Sequence, residues 1–274
     1  MAALKRAVWN HYKKARRDFP WRTPELTLLP DGSVDPYKIL VSEVMLQQTQ
    51  AGARTIEKYR AFIKAFPTTK VLARASLSEV YALWQGLGYN RRAKALRDAA
   101  ILVEKEFKGT FPAILEDLER LPGVGPYTAS AVYVFAYNKP TALIETNIRT
   151  VFIHHLFKDR EGITDAQLLP YITEALPPQR ARDWYSALMD YGAHLKKEIG
   201  NVSRRSAHYV RQSAFKGSNR EIRGKLLREL LKGRATLARL GESVGAPLKQ
   251  VEGQLKALIK EGFVVKRGER YELA

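Results

Sequence analysis

The chain has 274 residues, 45% hydrophobic and 27% charged, a balance that is typical of a globular protein and excludes an intrinsically disordered one. Its formal net charge of +18 comes from 46 Lys and Arg against 28 Asp and Glu, and so large an excess predicts a polyanionic partner. There is no cysteine, which excludes disulfides, thiolate nucleophiles, thiolate zinc sites and cysteine-bound iron–sulfur clusters.

The sequence predicts neither a bound metal nor a membrane association. The five histidines form no ligand motif, and the adjacent pair His154 and His155 would point to different sides of a helix. No apolar run approaches the roughly 20 residues of a spanning helix. The N-terminal segment, MAALKRAVWNHYKKARRDFPW, lacks the apolar core of a signal peptide, so we expect an intracellular protein.

The first 200 residues repeat apolar positions at helical spacing. The segments are VSEVMLQQT, EKYRAFIKAF, LSEVYALWQGLG, KALRDAAILVEKEF, ILEDLERL, YTASAVYVFAY, NIRTVFIHHLF, QLLPYITEAL and DWYSALMDYGAHL. Pro and Gly occupy turn positions between them, and alternating strand patterns are scarce. This pattern predicts a mostly α fold, with a many-helix domain over residues 1–195.

The last quarter of the chain has a different character. Residues 196–220 are basic, poor in aliphatic side chains and interspersed with Ser, Asn and Gly, which predicts a linker or wrapping arm. Residues 201–274 hold 17 Lys and Arg against 7 Asp and Glu. Over residues 221–274, EIRGKLLRELL, ATLARLGESVG and PLKQVEGQLKALIKEG predict three helices, and FVVKRGERYEL predicts two strands around an Arg-Gly turn.

Three helices followed by a hairpin are the plan of a winged helix-turn-helix. Such a domain most often binds duplex DNA through its third helix, although many serve only as protein-interaction modules.

The most specific stretch is LPGVGPYTASAV, within a predicted helix hairpin over residues 118–132. Gly123 and Gly125 flank Val124 in a tight turn, where glycine permits unusual backbone angles and a close approach to a ligand. Backbone N–H groups at the start of the second helix, around Thr128, could then grip a DNA phosphate. Taken alone, the motif also fits an ordinary helix–turn–helix corner.

Together with DFPWR, VSEVMLQQTQ, GLGYNRRAKAL and ALIETNIRTV, this hairpin closely resembles the helix-hairpin-helix DNA glycosylases over roughly residues 8–195. It is most similar to the branch that removes adenine mispaired with 8-oxoguanine. The resemblance implies a two-lobed domain with a DNA-binding cleft, in which the first and last parts form one lobe and the middle forms the other. It also implies an intracellular monomer that binds duplex DNA containing a mismatched or damaged base.

The resemblance assigns roles to residues in these motifs. Glu43 would deliver a proton to the departing base, and its apolar neighbours would raise its pKa toward that of a useful acid. Tyr127 stands where bifunctional relatives carry a Schiff-base lysine, so the resemblance implies a monofunctional enzyme. The remaining matches are Gln48 and Thr49 (contacts to the opposite base), Tyr89 (an aromatic wedge, or else a packed core ring), Asn147 (beside the catalytic carboxylate) and Arg91 and Arg92 (phosphates).

Three departures limit this transfer. Relatives place an aspartate where this chain has Glu145, and one extra methylene matters because electrostatic stabilisation depends on sub-ångström placement. Thr146 and Asn147, which follow it, are residues that favour helix starts, and we expect the helix cap at these two rather than at Glu145. Most relatives also hold an iron–sulfur cluster that this cysteine-free chain cannot form, so no cofactor is expected. Finally, the predicted winged helix stands where adenine glycosylases usually carry a domain that helps sense 8-oxoguanine.

Three functions therefore stay open from the sequence. The first is a monofunctional adenine glycosylase acting opposite 8-oxoguanine or guanine. The second is a thymine or uracil glycosylase of the same fold, since a mismatch-thymine branch shares the tyrosine after the hairpin. The third is a non-catalytic DNA-binding protein on a glycosylase scaffold, which Glu145 keeps open and Glu43 and Tyr127 disfavour.

Overall fold

The computed structural model describes residues 1–212 and 214–274, apart from the side chains of residues 25 and 26. Residue 213, inside the predicted arm, lies outside the described residues. The helices up to residue 200 are α1 (Ala2–Ala15), α2 (Pro24–Thr27), α3 (Pro36–Leu46), α4 (Ala53–Ala65), α5 (Thr69–Arg74), α6 (Leu77–Trp84), α7 (Arg91–Glu106), α8 (Leu115–Glu119), α9 (Pro126–Phe135), α10 (Thr146–Leu156), α11 (Asp165–Ala175) and α12 (Ala181–Ile199). The mostly helical fold predicted from the sequence is confirmed.

The chain divides into two compact units. Unit 1 comprises residues 1–43, 111–120 and 124–211, and unit 2 comprises residues 44–110, 121–123 and 212–274. Unit 1 thus joins the first and last parts of the predicted glycosylase domain, and unit 2 holds its middle together with the C-terminal segment. None of the described helices combines the length and apolar character needed to cross a membrane.

Helices α1, α10 and α12 form the core of unit 1. Amphipathic α12 buries Trp184, Tyr185 and Leu188, and α10, which packs against it, buries Phe152. An apolar face of this kind leaves water only by packing against another such face, which brings the two helices together. The first turn of α10, which carries site residues, is therefore supported by a rigid partner.

In unit 2, helices α4 to α7 enclose large aromatic side chains. Tyr59, Phe62 and Trp84 are fully buried, and the Trp84 indole N–H donates to the Gly88 carbonyl at 3.2 Å. That bond holds the loop after α6, which includes Tyr89, against the core. The loop is thus part of the packed structure.

The C-terminal part of unit 2 contains α13 (Asn219–Leu231), β1 (Ala235–Thr236), α14 (Leu237–Val244), α15 (Leu248–Lys260), β2 (Val264–Arg267) and β3 (Arg270–Leu273). The strands form an antiparallel sheet in the order β1-β3-β2. Within the segment ATLARLGESVG, predicted as a helix, the first two residues form β1 instead. The helix begins after them because Thr236 caps α14 by accepting a hydrogen bond from Arg239 N. The winged-helix assignment stays a proposal.

The predicted hairpin consists of α8, a turn and α9. Gly123 has φ +79°, a left-handed conformation that disfavours any side chain, and a Cβ there would lie 2.7 Å from the Cβ of Ala95. Gly125 has φ −95° and nothing within 4 Å of an added Cβ. Of the two glycines in the motif, only Gly123 is therefore required by the backbone.

This difference predicts unequal effects of two alanine substitutions. Gly123→Ala should destabilise the protein by about 1–3 kcal/mol, because it combines a strained φ with a clash against a helix side chain. Gly125→Ala should change stability by less than about 0.5 kcal/mol. Urea unfolding of both variants measures this, and equal midpoints would contradict the assignment.

Candidate active site

Glu43 lies on α3 in unit 1 and is only 8% exposed. Burial, followed by the negative charge of Glu145, raises its pKa to about 7, while Arg22 and a hydrogen bond donated by the Tyr127 hydroxyl oppose the rise. The same surroundings hold the pKa of Tyr127 well above its ordinary value, so this tyrosine stays a donor. Glu43 is thus a carboxyl group that can hold a proton near neutral pH.

Glu145 forms the N-cap of α10. Its Oε1 accepts hydrogen bonds from the backbone N–H of Asn147 at 2.7 Å and of Ile148 at 3.0 Å, and Oε2 accepts from Asn147 Nδ2 at 3.2 Å. These three donors fix the position of the carboxylate at the start of the helix, where the helix dipole favours a negative charge. Because glutamate has one methylene more than aspartate, a preferred capping residue, its side chain has to fold back to reach these donors.

The structure corrects the helix-start assignment made from the sequence. Thr146 and Asn147 occupy the first two helical positions, and Glu145 itself caps the helix. Glutamate is not among the preferred capping residues, so local preference pointed to its neighbours. Asn147 donates to Glu145 through its backbone and side-chain amides, and its predicted place beside the catalytic carboxylate stays a prediction.

A fixed cation lies near this carboxylate. Arg149 donates through Nε and Nη2 to the two carboxylate oxygens of Asp165, each at 2.7 Å. This bidentate pair raises the pKa of Arg149 and lowers that of Asp165, and the charge of Glu145 adds to the first effect. The sequence showed no sign of this pair, because its members are 16 positions apart on different helices.

A second ion cluster supports the Glu43 side of the site. Asp190, with no exposed side-chain surface, accepts from Arg17 Nε at 2.7 Å and from Arg22 Nη1 at 3.0 Å. Arg22 belongs to the DFPWR motif, and its charge lowers the pKa of Glu43. An acidic residue on the apolar face of α12 was the only sequence signal for this cluster.

In unit 2, Arg92 organises the loops that carry the residues predicted to face the opposite strand. It is 8% exposed, and Nη1 donates to the carbonyls of Val44, Met45 and Gln47, while Nη2 donates to the carbonyls of Leu87 and Gly88 and to the Thr49 hydroxyl. This buried guanidinium donates its hydrogen bonds to backbone carbonyls of neighbouring loops, which conflicts with the phosphate contact expected for Arg92. Its neighbour Arg91 is exposed and pairs with Glu261 at 2.6 Å.

These loops hold two strained residues. Gln48 and Tyr89 have φ +56° and +48°, in a region that L side chains seldom adopt. Conformations of this kind persist only where surrounding contacts enforce them, and they are concentrated at functional sites. The Arg92 guanidinium thus bonds to Thr49, to Tyr89 and to Gln47 beside Gln48, although the roles of these loops toward DNA stay predictions.

The hairpin leaves the start of α9 suited to an anion. Pro126 occupies the first turn, Gly125 provides no capping side chain, and Thr128 and Val124 are buried on either side of Gly125. The backbone N–H groups of that turn and the helix dipole favour a negative charge. A phosphate contact here stays a prediction.

Gly192 of α12 allows α10 to approach closely. A Cβ at this position would lie 2.3 Å from the carbonyl oxygen of Asn147 and 2.7 Å from its Cβ. Gly192→Ala should therefore destabilise the protein by about 1–3 kcal/mol and lower any activity of the folded fraction by at least about tenfold, because the Glu145 cap moves with Asn147.

Gly224→Ala is the matched control for this prediction. Gly224 also lies within a helix, but nothing stands within 4 Å of an added Cβ, so the change should be neutral or stabilising by up to about 1 kcal/mol. Urea unfolding and single-turnover rates test both variants. Equal behaviour of the two would show that α10 tolerates the displacement.

The residues of this chain do not fit an iron–sulfur cluster, since no thiolate is present. No group of three His, Cys, Asp or Glu in residues 1–212 and 214–274 could hold a metal ion. Hydrogen bonds attach the segment after α12 instead. Arg205 Nε donates to Arg160 O at 2.8 Å, and the backbone of Ile163 pairs with Arg205 and Ala207.

Comparison with known proteins defines the class of this molecule. The family model described as HhH-GPD superfamily base excision DNA repair protein matches residues 41–178, and the chain belongs to this superfamily. The chain is 34% identical over 238 residues to an adenine DNA glycosylase of Mycolicibacterium smegmatis, with 79% of this chain and 76% of that protein covered. An adenine DNA glycosylase of Mycobacterium tuberculosis is 35% identical over 240 residues, covering 79% and 74%.

A solved structure, of a thermostable thymine-DNA glycosylase, matches with a TM-score of 0.58 and 26% identity, over 70% of this chain and 85% of that one. The predicted resemblance to helix-hairpin-helix glycosylases, and with it a role in base excision DNA repair, is confirmed.

Proposed function

We propose that this protein is a monofunctional DNA glycosylase that hydrolyses the N-glycosidic bond of adenine opposite 8-oxoguanine or guanine. The observation that carries the proposal is the pairing of two unlike carboxyl groups in unit 1. The pKa of Glu43 is raised to about 7, and the carboxylate oxygens of Glu145 accept hydrogen bonds from three donors at the start of α10. The relatives named adenine DNA glycosylases support the choice of base.

The chemistry follows from these two environments. Protonated Glu43 donates its proton to a ring nitrogen of an adenine rotated out of the duplex, so that the base departs with the electron pair of the glycosidic bond. The carboxylate of Glu145 stabilises the positive charge that develops on the sugar, as paired carboxylates do in sugar hydrolysis. Water then adds to the sugar carbon, and the proton that it releases restores the acid form of Glu43.

Tyr127 supports the absence of a strand-cutting step. A phenol cannot form the Schiff base that a lysine amine forms with the sugar aldehyde, and the Tyr127 hydroxyl is already bonded to Glu43. We expect little covalent adduct in a borohydride-trapping assay. Efficient trapping of an enzyme–DNA adduct would refute the monofunctional assignment.

Excision of thymine or uracil opposite guanine is the second candidate. The match to a thymine-DNA glycosylase structure favours it, although the sequence motif MLQQTQ favours the adenine branch. The test uses duplexes with A, T or U opposite guanine or 8-oxoguanine, cleaved with alkali after incubation, and Glu43→Gln as the inactive control. Tight binding without cleavage of any duplex would favour a non-catalytic DNA-binding role.

A further inference from the structure

Tyr89 is held in an unusual environment. Its backbone is left-handed, with φ +48°, and its ring is flanked by two guanidinium groups, Arg92 at 5.5 Å and Arg220 at 5.2 Å from the ring centroid. Cation–π contacts of this kind orient an aromatic ring. Arg92 lies in the first turn of α7, whereas Arg220 comes from the C-terminal segment.

The Tyr89 hydroxyl is held from the same segment. Arg220 Nη1 donates a hydrogen bond to it at 2.6 Å, and Gln212 Nε2 donates a second one. A charged donor gives the stronger of these bonds. Arg220 thus contacts both the face and the polar tip of one half-buried side chain that lies 131 positions earlier in the chain.

The helix that carries Arg220 has a firm attachment. One turn further along α13, Arg223 donates to both oxygens of Glu261, at 3.1 and 2.5 Å, and Glu261 also accepts from Arg91 at 2.6 Å. This three-residue cluster ties α13 and the end of α15 to the start of α7, two residues after Tyr89. The geometry of the Arg220–Tyr89 contact is therefore supported on both sides.

We propose that Arg220 is a specificity-determining positioning residue: by holding Tyr89, it makes the C-terminal segment part of the recognition of the base opposite the excised one. The proposal rests on the proposed function and on the predicted role of Tyr89 as an aromatic wedge, which would set its ring beside the base opposite the excised one. A purine exposes a larger face than a pyrimidine, so a ring held at one depth and tilt stacks better on the purine. A released ring would adapt to either base and lose that discrimination.

A binding experiment tests this without any excision. The probes are duplexes with a tetrahydrofuran abasic analogue opposite guanine, 8-oxoguanine or cytosine, and the proteins are the full-length wild type, Arg220→Ala, Tyr89→Phe and the double variant. Wild type should bind the purine-containing duplexes more tightly. Each single variant should lower the ratio of the Kd for the cytosine duplex to the Kd for the purine duplexes by about tenfold, and the double variant should lower it no further than one of them.

Arg220→Lys is the matched control for charge. Lysine keeps the positive charge but lacks the planar fork, so we expect normal overall affinity with reduced discrimination. Thermal unfolding of each variant verifies the fold, and Tyr89→Phe with Arg220→Lys provides the test if Arg220→Ala does not fold.

Several results would overturn the proposal. One is an equal loss of affinity for all duplexes in Arg220→Ala, together with a slope of log affinity against log salt concentration that is smaller by about one. That result would identify Arg220 as a phosphate contact. Additive effects in the double variant, or a wild type that does not distinguish the opposite bases, would also reject it. The probes cannot be cleaved, so the binding result does not depend on excision. If the variants show the expected coupling but the wild type excises no base from cleavable duplexes, the proposal stands and the proposed reaction is rejected.

Discussion

Glu43→Gln is expected to abolish base excision and to stabilise the folded protein at alkaline pH. Glutamine keeps the shape of the side chain and can still accept a hydrogen bond from Tyr127, but it has no proton to donate. General acid catalysis contributes about 10²–10⁴-fold to enzymatic rates, so the excision rate should fall by at least about 100-fold. Single-turnover excision measures the loss.

The expected gain in stability follows from the pKa of Glu43, which is raised from 4.5 to about 7 by burial and by Glu145. A carboxyl whose folded-state pKa is raised favours the folded state fully below pH 4.5 and loses that contribution as the pH rises through about 7. The loss amounts to about 3 kcal/mol. Glutamine carries no such dependence, so the variant should become the more stable protein above pH 7.

Urea unfolding of both proteins between pH 4.5 and 8.5 checks this result. The free-energy difference should be near zero at the acidic end and should grow toward pH 8. The wild-type excision rate should decline over the same alkaline range as Glu43 loses its proton. If the free energies of unfolding of the two proteins change in parallel with pH, Glu43 is solvated and has an ordinary pKa. That result would remove the physical basis for its role as an acid.

Glu145→Gln should reduce the excision rate by at least about 100-fold and leave the Kd for DNA within about threefold of wild type. The carboxamide oxygen can still accept from the N–H groups of Asn147 and Ile148, so the helix cap survives. What disappears is the negative charge that opposes the developing cation on the sugar. A gel-shift titration beside single-turnover kinetics separates the two effects.

Two further variants separate charge from capping. Glu145→Asp keeps the charge and provides a preferred capping residue, so we expect activity within about tenfold of wild type. Glu145→Ala removes both and should also cost about 0.5–2 kcal/mol of stability. Wild-type excision by Glu145→Gln would reduce this carboxylate to a helix cap and leave Glu43 as the only catalytic carboxyl.

The sequence by itself determined the features that depend on neighbouring residues. Periodic apolar positions specify the helices, because each amphipathic face needs only its own segment to be recognised. The LPGVGPY motif specifies the hairpin through the backbone requirement of Gly123. The apolar neighbours of Glu43 correctly predicted its raised pKa, because Val41, Val44 and Met45 are buried with it.

Only the tertiary structure decided how distant residues are combined. Glu145 was visible as an acidic residue near a helix start, but its folded-back cap depends on side-chain length and on the approach of α10 to Gly192. The sequence suggested a phosphate contact for Arg92, but its guanidinium donates to seven acceptors, the most distant of them 48 positions away along the chain. The contact of Arg220 with Tyr89 spans 131 positions. Pairings of this range arise when burial brings separate segments together, and no local pattern encodes them.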